Sequence, residues 1–486
     1  MTNYLQQVLS LFKNMVLNAT GAERDLYKLL EDKDVDRAIG LMQDRDKDVD
    51  EALAEYNPQK HKIMERQNKP RKNERPYITE KLPRTRQRYI NETELFFLFG
   101  NSINWTMKSG DSDTFRVFQQ FLAENYFDSR MRTAKRLAGA ETESAKLYNI
   151  YTDEKDKQIK VNVAVLARST GYKLRPMFDQ FGRLIAFGYG YEQKQNGKTV
   201  VHWDIQTPDF LFYCQKGAVG WEVDMRENPT GKINVIYYRQ TKAWEGAEPR
   251  IEREEKLDSV IGDTNNYFAS PIAAATADVV EMMKDPESVG SLIKMTGDGS
   301  RFEYINPPQS SQLQSAEKDQ LEKSILFDTF TPDFSFEALR GMGTLSGAAI
   351  RNSMILGYIK RARNIEVYDE LVEREKNLIL AILKYQRPDL RAKLDELEIG
   401  YEFAEPFPDD VDTRWQRISN LYGAGLVSLE TAVGMLNLTD DPDAEIDKLM
   451  LAAMEKEQGT ETAQPEGETA TEQPREQTEE QQTEEQ

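Results

Sequence analysis

Cysteine is nearly absent from this 486-residue chain: Cys214 stands alone, which excludes an intrachain disulfide and a cysteine-cluster zinc site. Histidine is almost as rare. His61 and His202 are the only two, neither has neighbours or spacing that suggest a metal site or a catalytic triad, and both read as incidental. Long apolar runs are missing as well. The longest, Leu95-Phe96-Phe97-Leu98-Phe99 and Leu378-Ile379-Leu380-Ala381-Ile382-Leu383, fall far short of the ~18 residues of a membrane span and suit buried faces. The N-terminal MTNYLQQVLSLFKNMVLNA lacks the cationic start and small-residue cleavage site of a signal peptide, so the chain is expected in the reducing cytoplasm when made. A phosphate-binding loop also fails. Gly197-Lys198-Thr199 would need glycine at position 192, which is Glu192, and it sits in a hairpin where a strand must run into a helix. No G-x-S-x-G, H-E-x-x-H or calcium loop is found, so no enzyme and no cofactor are expected.

What is present is charge, unevenly placed. Charged residues make up 30% of the chain and hydrophobic ones 39%, with a net charge of −20. Residues 457–486 hold ten Glu and one Arg and no large apolar side chain, an acidic tail expected to be disordered. By contrast, residues 59–88 hold eleven Lys or Arg against three Glu. This basic segment reads either as a solvated linker or arm, or as a patch for nucleic acid or an acidic neighbour.

Along the chain, residues 1–56 and 84–150 carry helical spacing, with Phe115, Phe118, Phe121 and Leu122 on one face. From about 158 to 240 the pattern is that of strands: Ile159, Val161, Val163 and Val165 alternate, and Asn196-Gly197 marks a hairpin. Helical patterns return at 251–266, 311–328, 347–386 and 410–456, giving an α+β chain with a β-rich middle. Asp441-Pro442 fits a helix N-cap followed by proline.

The stretch 251–386 reads as one unit. A charged helix (IEREEKLDSVIGD) leads through Asn265-Asn266-Tyr267-Phe268-Ala269-Ser270-Pro271 into a polar insert. A second charged helix returns with only Leu313, Ala316, Leu321, Ile325 and Leu326 as an apolar stripe. Such thin seams suit side-by-side packing against copies of the chain, as in a ring, or two ordinary amphipathic surface helices. Then come Thr331-Pro332-Asp333-Phe334-Ser335-Phe336, a loop with Gly341 and Gly343 expected to be mobile, and Ser346 as cap of a helix able to run unbroken to about Lys384.

This order of parts resembles the portal proteins of tailed double-stranded DNA bacteriophages, the head-to-tail connector family: charged helix, N-x-Y-x-x-S-P, insert, charged helix, T-P-D-x-S-F, glycine loop, S-G-x-A-I, long helix. Arg414-Trp415-Gln416-Arg417-Ile418, Gly425-Leu426-Val427-Ser428-Leu429-Glu430-Thr431 and Asp440-Asp441-Pro442-Asp443-Ala444-Glu445 resemble the family too. One departure is Thr344-Leu345-Ser346-Gly347, where relatives often carry Asn-x-Ser-Gly. The resemblance implies a ring-forming fold with a wing (1–250, helical and then β-rich), stem helices (251–268 and 310–330), a clip (269–309), a tunnel loop (331–346), a long wing helix and return (347–408) and a crown (409–456). It implies a dodecameric homo-oligomer at a unique capsid vertex, through which genome DNA is packaged and ejected without sequence reading. The implied partners are the terminase large subunit, the major capsid or scaffold protein and a head–tail adaptor, with no membrane, in the virion and, during assembly, in the host cytoplasm. The DNA-channel loop would be Phe336, Arg340, Gly341, Met342, Gly343 and Thr344. Arg340 is the one most able to meet phosphate, so Arg340→Ala would alter packaging rate or DNA retention. The stem lining would be Glu252, Glu254, Glu255, Lys256, Lys318, Glu322 and Lys323, mixed in sign so that duplex is not gripped. Another head–tail scaffold protein, a packaging-motor enzyme and a host interaction protein are the alternatives.

Overall fold

The computed structural model describes residues 21–70, 76–155, 157–195, 197–268, 273–275, 278–284, 291–296, 302–304, 310–342, 347–407, 411–436 and 445–451. The chain divides into two units, Met1–Phe407 and Pro408–Gln486.

The first unit opens with α1 (Ala22–Glu31), α2 (Val35–Gly40) and α3 (Asp46–Tyr56), followed by two single 3-10 turns over Pro58–Lys60 and Lys62–Glu65. Asp34 caps α2 by accepting the Arg37 N–H at 3.3 Å, the role expected of aspartate before a helix. Next come α4 (Arg86–Phe99), β1 (Asn104–Ser109), α5 (Ser112–Glu124) and α6 (Phe127–Glu141), then strands β2 (Glu143–Thr152), β3 (Ile159–Leu166), β4 (Lys173–Phe178), β5 (Leu184–Gln195), β6 (Lys198–Gln206), β7 (Phe210–Lys216), β8 (Trp221–Glu227) and β9 (Val235–Arg239). Strands β4 to β8 form an antiparallel meander, and β3-β2-β9 a three-stranded sheet. The hairpin read from the sequence is there: Gln195 pairs with Lys198, and Gly197 sits at φ +78°, a region that disfavours a side chain.

Two strands lie where the sequence reads as helix. β1 pairs antiparallel with β14 (Glu398–Glu402), about 300 residues later, with Trp105 opposite Tyr401 and their rings 5.5 Å apart. A strand defined by so distant a partner leaves no local periodicity. β2 is the central strand of its sheet, and its buried Glu143 and Lys146 break the apolar alternation that would have marked it.

Three clusters hold this part together. Leu26, Tyr27, Leu30 and Val35 pack on Ile205, Phe210, Phe212 and Cys214 of the meander. Phe187, Tyr189 and Leu174 meet Ala145, Val235 and Tyr237 of the smaller sheet. The largest cluster joins α4, α5, α6 and the small sheet to the long helix through Leu98, Phe118, Met131, Tyr238, Tyr368 and Ile379. At ~25 cal/mol per Å² of apolar surface, burial on this scale is the main driving force of the fold.

From β9 the chain enters α7 (Glu248–Phe268), the paired strands β10 (Ala273–Ala275) and β13 (Phe302–Tyr304), the hairpin β11 (Asp278–Lys284) and β12 (Ser291–Thr296), and then α8 (Ser310–Asp328). α9 (Phe336–Met342), α10 (Gly347–Ser353), α11 (Ile355–Gln386), a 3-10 turn at Pro388–Leu390 and α12 (Arg391–Glu396) follow. The long helix is therefore not continuous. It is interrupted at the single residue Met354, at φ −97° and ψ 16°, although the Met354 N–H still reaches the Ile350 carbonyl at 3.1 Å. The remaining 32 residues of α11 span roughly 48 Å at 1.5 Å per residue. Gly357 is required where α11 crosses α4, since a Cβ there would stand 2.2 Å from the Phe97 ring.

The second unit contains α13 (Val411–Gly423) and α14 (Leu429–Leu436), joined through Gly425 at φ +69° and capped by the Ser428 hydroxyl, which accepts the Thr431 N–H at 3.2 Å. Ile418, Ala432, Val433 and Ile446 are buried in it. Ser346, the Asp441-Pro442 cap and the 457–486 tail lie outside the described residues.

Candidate functional site

The helices α7 and α8 run antiparallel, joined by ion pairs in step. Arg250 pairs with Asp328, Arg86 bridges Glu254 to Glu322, and Lys318 meets Asp258 at 3.0 Å. Their apolar seams are divided: Ile251 and Ile325 pack within the protomer on Ile90, Ala243, Trp244 and Ala247. For that part of the seams this corrects the expectation of burial against neighbouring copies. Leu313 (76%), Ala316 and Phe327 (65%) of α8 stay exposed.

The basic segment has an acidic neighbour within the chain. Residues 61–70 and 76–86 lie along α7 as a strap, tied together by an isolated antiparallel bridge between Lys69 and Tyr77. Lys62 reaches Glu252 at 2.5 Å, and Arg84 pairs with Asp258. Arg86 grips Glu254 in a fork at 2.7 and 3.1 Å, and Arg66 meets Asp263 at 2.6 Å. Backbone N–H groups join in: Leu82 donates to Ser259, Arg84 to Glu255 and Glu80 to Asp263. The acidic neighbour of this cationic run is therefore the chain's own helix.

His61 sits inside the strap. Its Nδ1 lies 2.6 Å from Glu255 Oε1 and its Nε2 2.6 Å from the Glu55 carbonyl oxygen. A carbonyl can only accept, so Nε2 carries a proton. Burial disfavours the charged ring, but the Glu255 carboxylate and the Glu55 carbonyl outweigh it and raise the imidazole pKa. His61 thus has a structural task that its sequence neighbours did not show.

These placements sort the expected stem lining. Glu254 and Glu255 are buried and held by Arg86 and His61, so they present no carboxylate to an open space and are withdrawn from that role. Glu322 and Lys318 are half-buried in their ion pairs. Glu252, though paired with Lys62, is exposed, as are Lys256 and Lys323.

Of the expected loop, Phe336, Arg340, Gly341 and Met342 fall in the helix α9, so a mobile loop at Gly341 is corrected; Gly343 and Thr344 lie outside the described residues. The Ser335 hydroxyl accepts the Ala338 N–H at 3.3 Å, which starts the helix. Phe336 is 79% exposed and Arg340 is exposed. The base of this segment is pinned by a residue the sequence did not flag. The Tyr89 hydroxyl donates to the Pro332 carbonyl and accepts the Phe334 N–H, both at 2.8 Å. Charge complementarity between the 59–88 run and IEREEKLDSVIGD was the available signal for the strap. Among the described residues no group of three or more His, Cys, Asp or Glu is placed to hold a metal ion, and no helix is long and apolar enough to cross a membrane.

The model of the phage portal protein family, SPP1 Gp6-like, matches residues 42–460, and the chain belongs to that family. Its role is that of a phage portal protein. No curated protein matches. Among solved structures, the neck of a native gene transfer agent particle, computed with C12 symmetry, is similar at 10% identity and TM-score 0.42, covering 82% of this chain and 95% of that one. The neck of an empty particle, computed with C6 symmetry, is similar at 9% identity and TM-score 0.42, covering 81% and 94%.

Proposed function

We propose that copies of this chain form a dodecameric ring at one capsid vertex and that genome DNA passes through it during packaging and ejection. Membership of the portal family over residues 42–460 carries this reading. In it, the meander and helical clusters with the long helix form the wing, α7 and α8 the stem, and β10 to β13 the clip. The segment around α9 is the tunnel loop, and residues 409–456 form the crown. The terminase large subunit and head–tail adaptor dock on the ring, the capsid or scaffold protein surrounds it, and the virion is its final location, reached from the host cytoplasm.

The electrostatics support a passive conduit. Cations lining a channel would bind duplex through counterion release and slow its passage. Here five cations of the 59–88 run, Lys62, Arg66, Lys69, Arg84 and Arg86, are committed to carboxylates of α7, and the exposed stem residues Glu252, Lys256, Asp319 and Lys323 balance in sign. Phe336 and Arg340 stay exposed on α9 to touch the duplex, and Arg340→Ala is expected to change packaging rate or DNA retention. Negative-stain images of the purified full chain should show rings with a central hole and twelve lobes. A monomer at every concentration would overturn the proposal.

A further inference from the structure

A closed ring needs a head-to-tail contact, in which two different patches on each copy complement one another. α7 offers neither patch freely, because it is held from two sides. Glu252, Glu255, Ser259, Asp263 and Asn266, spaced by three and four, face the strap. Arg250, Glu254 and Asp258 lead to α8. At about 100° per residue these stripes are centred about 140° apart, so the strap and α8 occupy different flanks of α7.

The outer edges of both flanks carry unburied apolar side chains. On the strap Ile78 is 76% exposed and Leu82 41%, and on α8 Leu313 is 76% exposed with Ala316 exposed beside it. The same register sets them at equal height. Glu254 faces Glu322 through Arg86 and Asp258 faces Lys318, so four steps up α7 are four steps down α8 and Asp263 falls level with Leu313, while the long Arg253 side chain reaches along α8 to Glu317 at 2.7 Å. Asp263 is also where Ile78 sits, since its neighbours Tyr77 and Glu80 both bond to that residue. Leu82 bonds to Ser259, which the same register sets level with Glu317, next to Ala316. Charge agrees: exposed Arg88, just past the strap, and exposed Asp319 on α8 form no ion pair among the described residues and are of opposite sign.

We infer that, in the ring, the α8 stripe of one copy (Leu313, Ala316) seats on the outer strap edge (Ile78, Leu82) of the next, so that the strap and not α7 is the neighbour's contact. This rests on the ring reading above. Equal height matters because rotation about a ring axis brings equivalent stems side by side without lifting one past another.

The chain suits a crosslinking test, because its sole cysteine, Cys214, is buried and its thiol is pushed up to about 12 by that burial and by Asp204, leaving it unreactive. Full-length Ile78→Cys/Leu313→Cys rings treated with a short bis-maleimide should give a covalent ladder of dimers and higher multiples on denaturing gels. Each single variant should stay monomeric there. Hydrogen exchange on the unmodified chain gives a second readout: residues 76–83 and 312–320 should each gain at least tenfold protection on passing from monomer to ring. Rings that form with neither a ladder nor that protection overturn this contact and leave the ring standing. Failure to form rings at all overturns both.

Discussion

Two parts of the molecule use the same pairing of basic and acidic side chains in opposite settings. In the core of the first unit, Lys146 and Glu375 are both fully buried, and Glu375 also accepts from the Tyr148 and Tyr238 hydroxyls. Nearby, burial would raise the Glu94 carboxyl, yet Lys135 and Lys360 outweigh it and hold it at about 2. Along α7 the pairs grade from exposed Lys62–Glu252 to Arg86 on the buried Glu254. A sealed pair contributes little net stability but is costly to break, because either partner alone is an unpaired charge out of water. Exposed pairs cost little to break and respond to salt and pH. The core around Lys146 and Glu375 is therefore a fixed point, and the strap is the part whose hold solution conditions can adjust.

Three substitutions can break or sharpen that contrast. The largest effect is expected for Glu375→Ala, which strands Lys146 and two tyrosine hydroxyls; a loss of about 3–5 kcal/mol should appear in denaturant unfolding. If that variant were as stable as the parent, the sealed cluster would not be the fixed point described. Arg86→Ala should be milder, about 2 kcal/mol, because Arg84 remains 3.8 Å from Glu254. Its signature is faster hydrogen exchange in α7 and α8 with the wing sheet unchanged.

The smallest effect belongs to His61, and it depends on pH. A pKa raised by folding gives stabilisation that is complete below the ordinary imidazole value of about 6.5 and fades as pH climbs through the folded value. Between pH 6 and pH 9 the parent should therefore lose stability relative to His61→Gln. Parallel melting curves for the two proteins across that range would remove His61 from the strap's control.

The sequence made legible what local pattern or family order encodes. The β5–β6 hairpin announced itself at Asn196-Gly197, and the charged pair α7–α8 stood out by composition. β1 stayed hidden because Tyr401 and its neighbours, which define it, lie far along the chain. Exposure is only partly legible in the sequence. Phe336 and Arg340 are exposed, whereas Glu254 and Glu255 looked like lining because nothing local shows that Arg86 and His61 cover them. Residues 61–70 and 76–86 have few apolar positions and no periodicity, so their placement follows from a partner about 170 residues away.

The strap also has a mechanical meaning. Without it, α7 would be anchored only at its root near Trp244 and Ile251 and along one flank by the ion pairs to α8. With attachments from Glu252 to Asn266 on the other flank it becomes a braced beam, and a sideways push is delivered through Arg86 into α4.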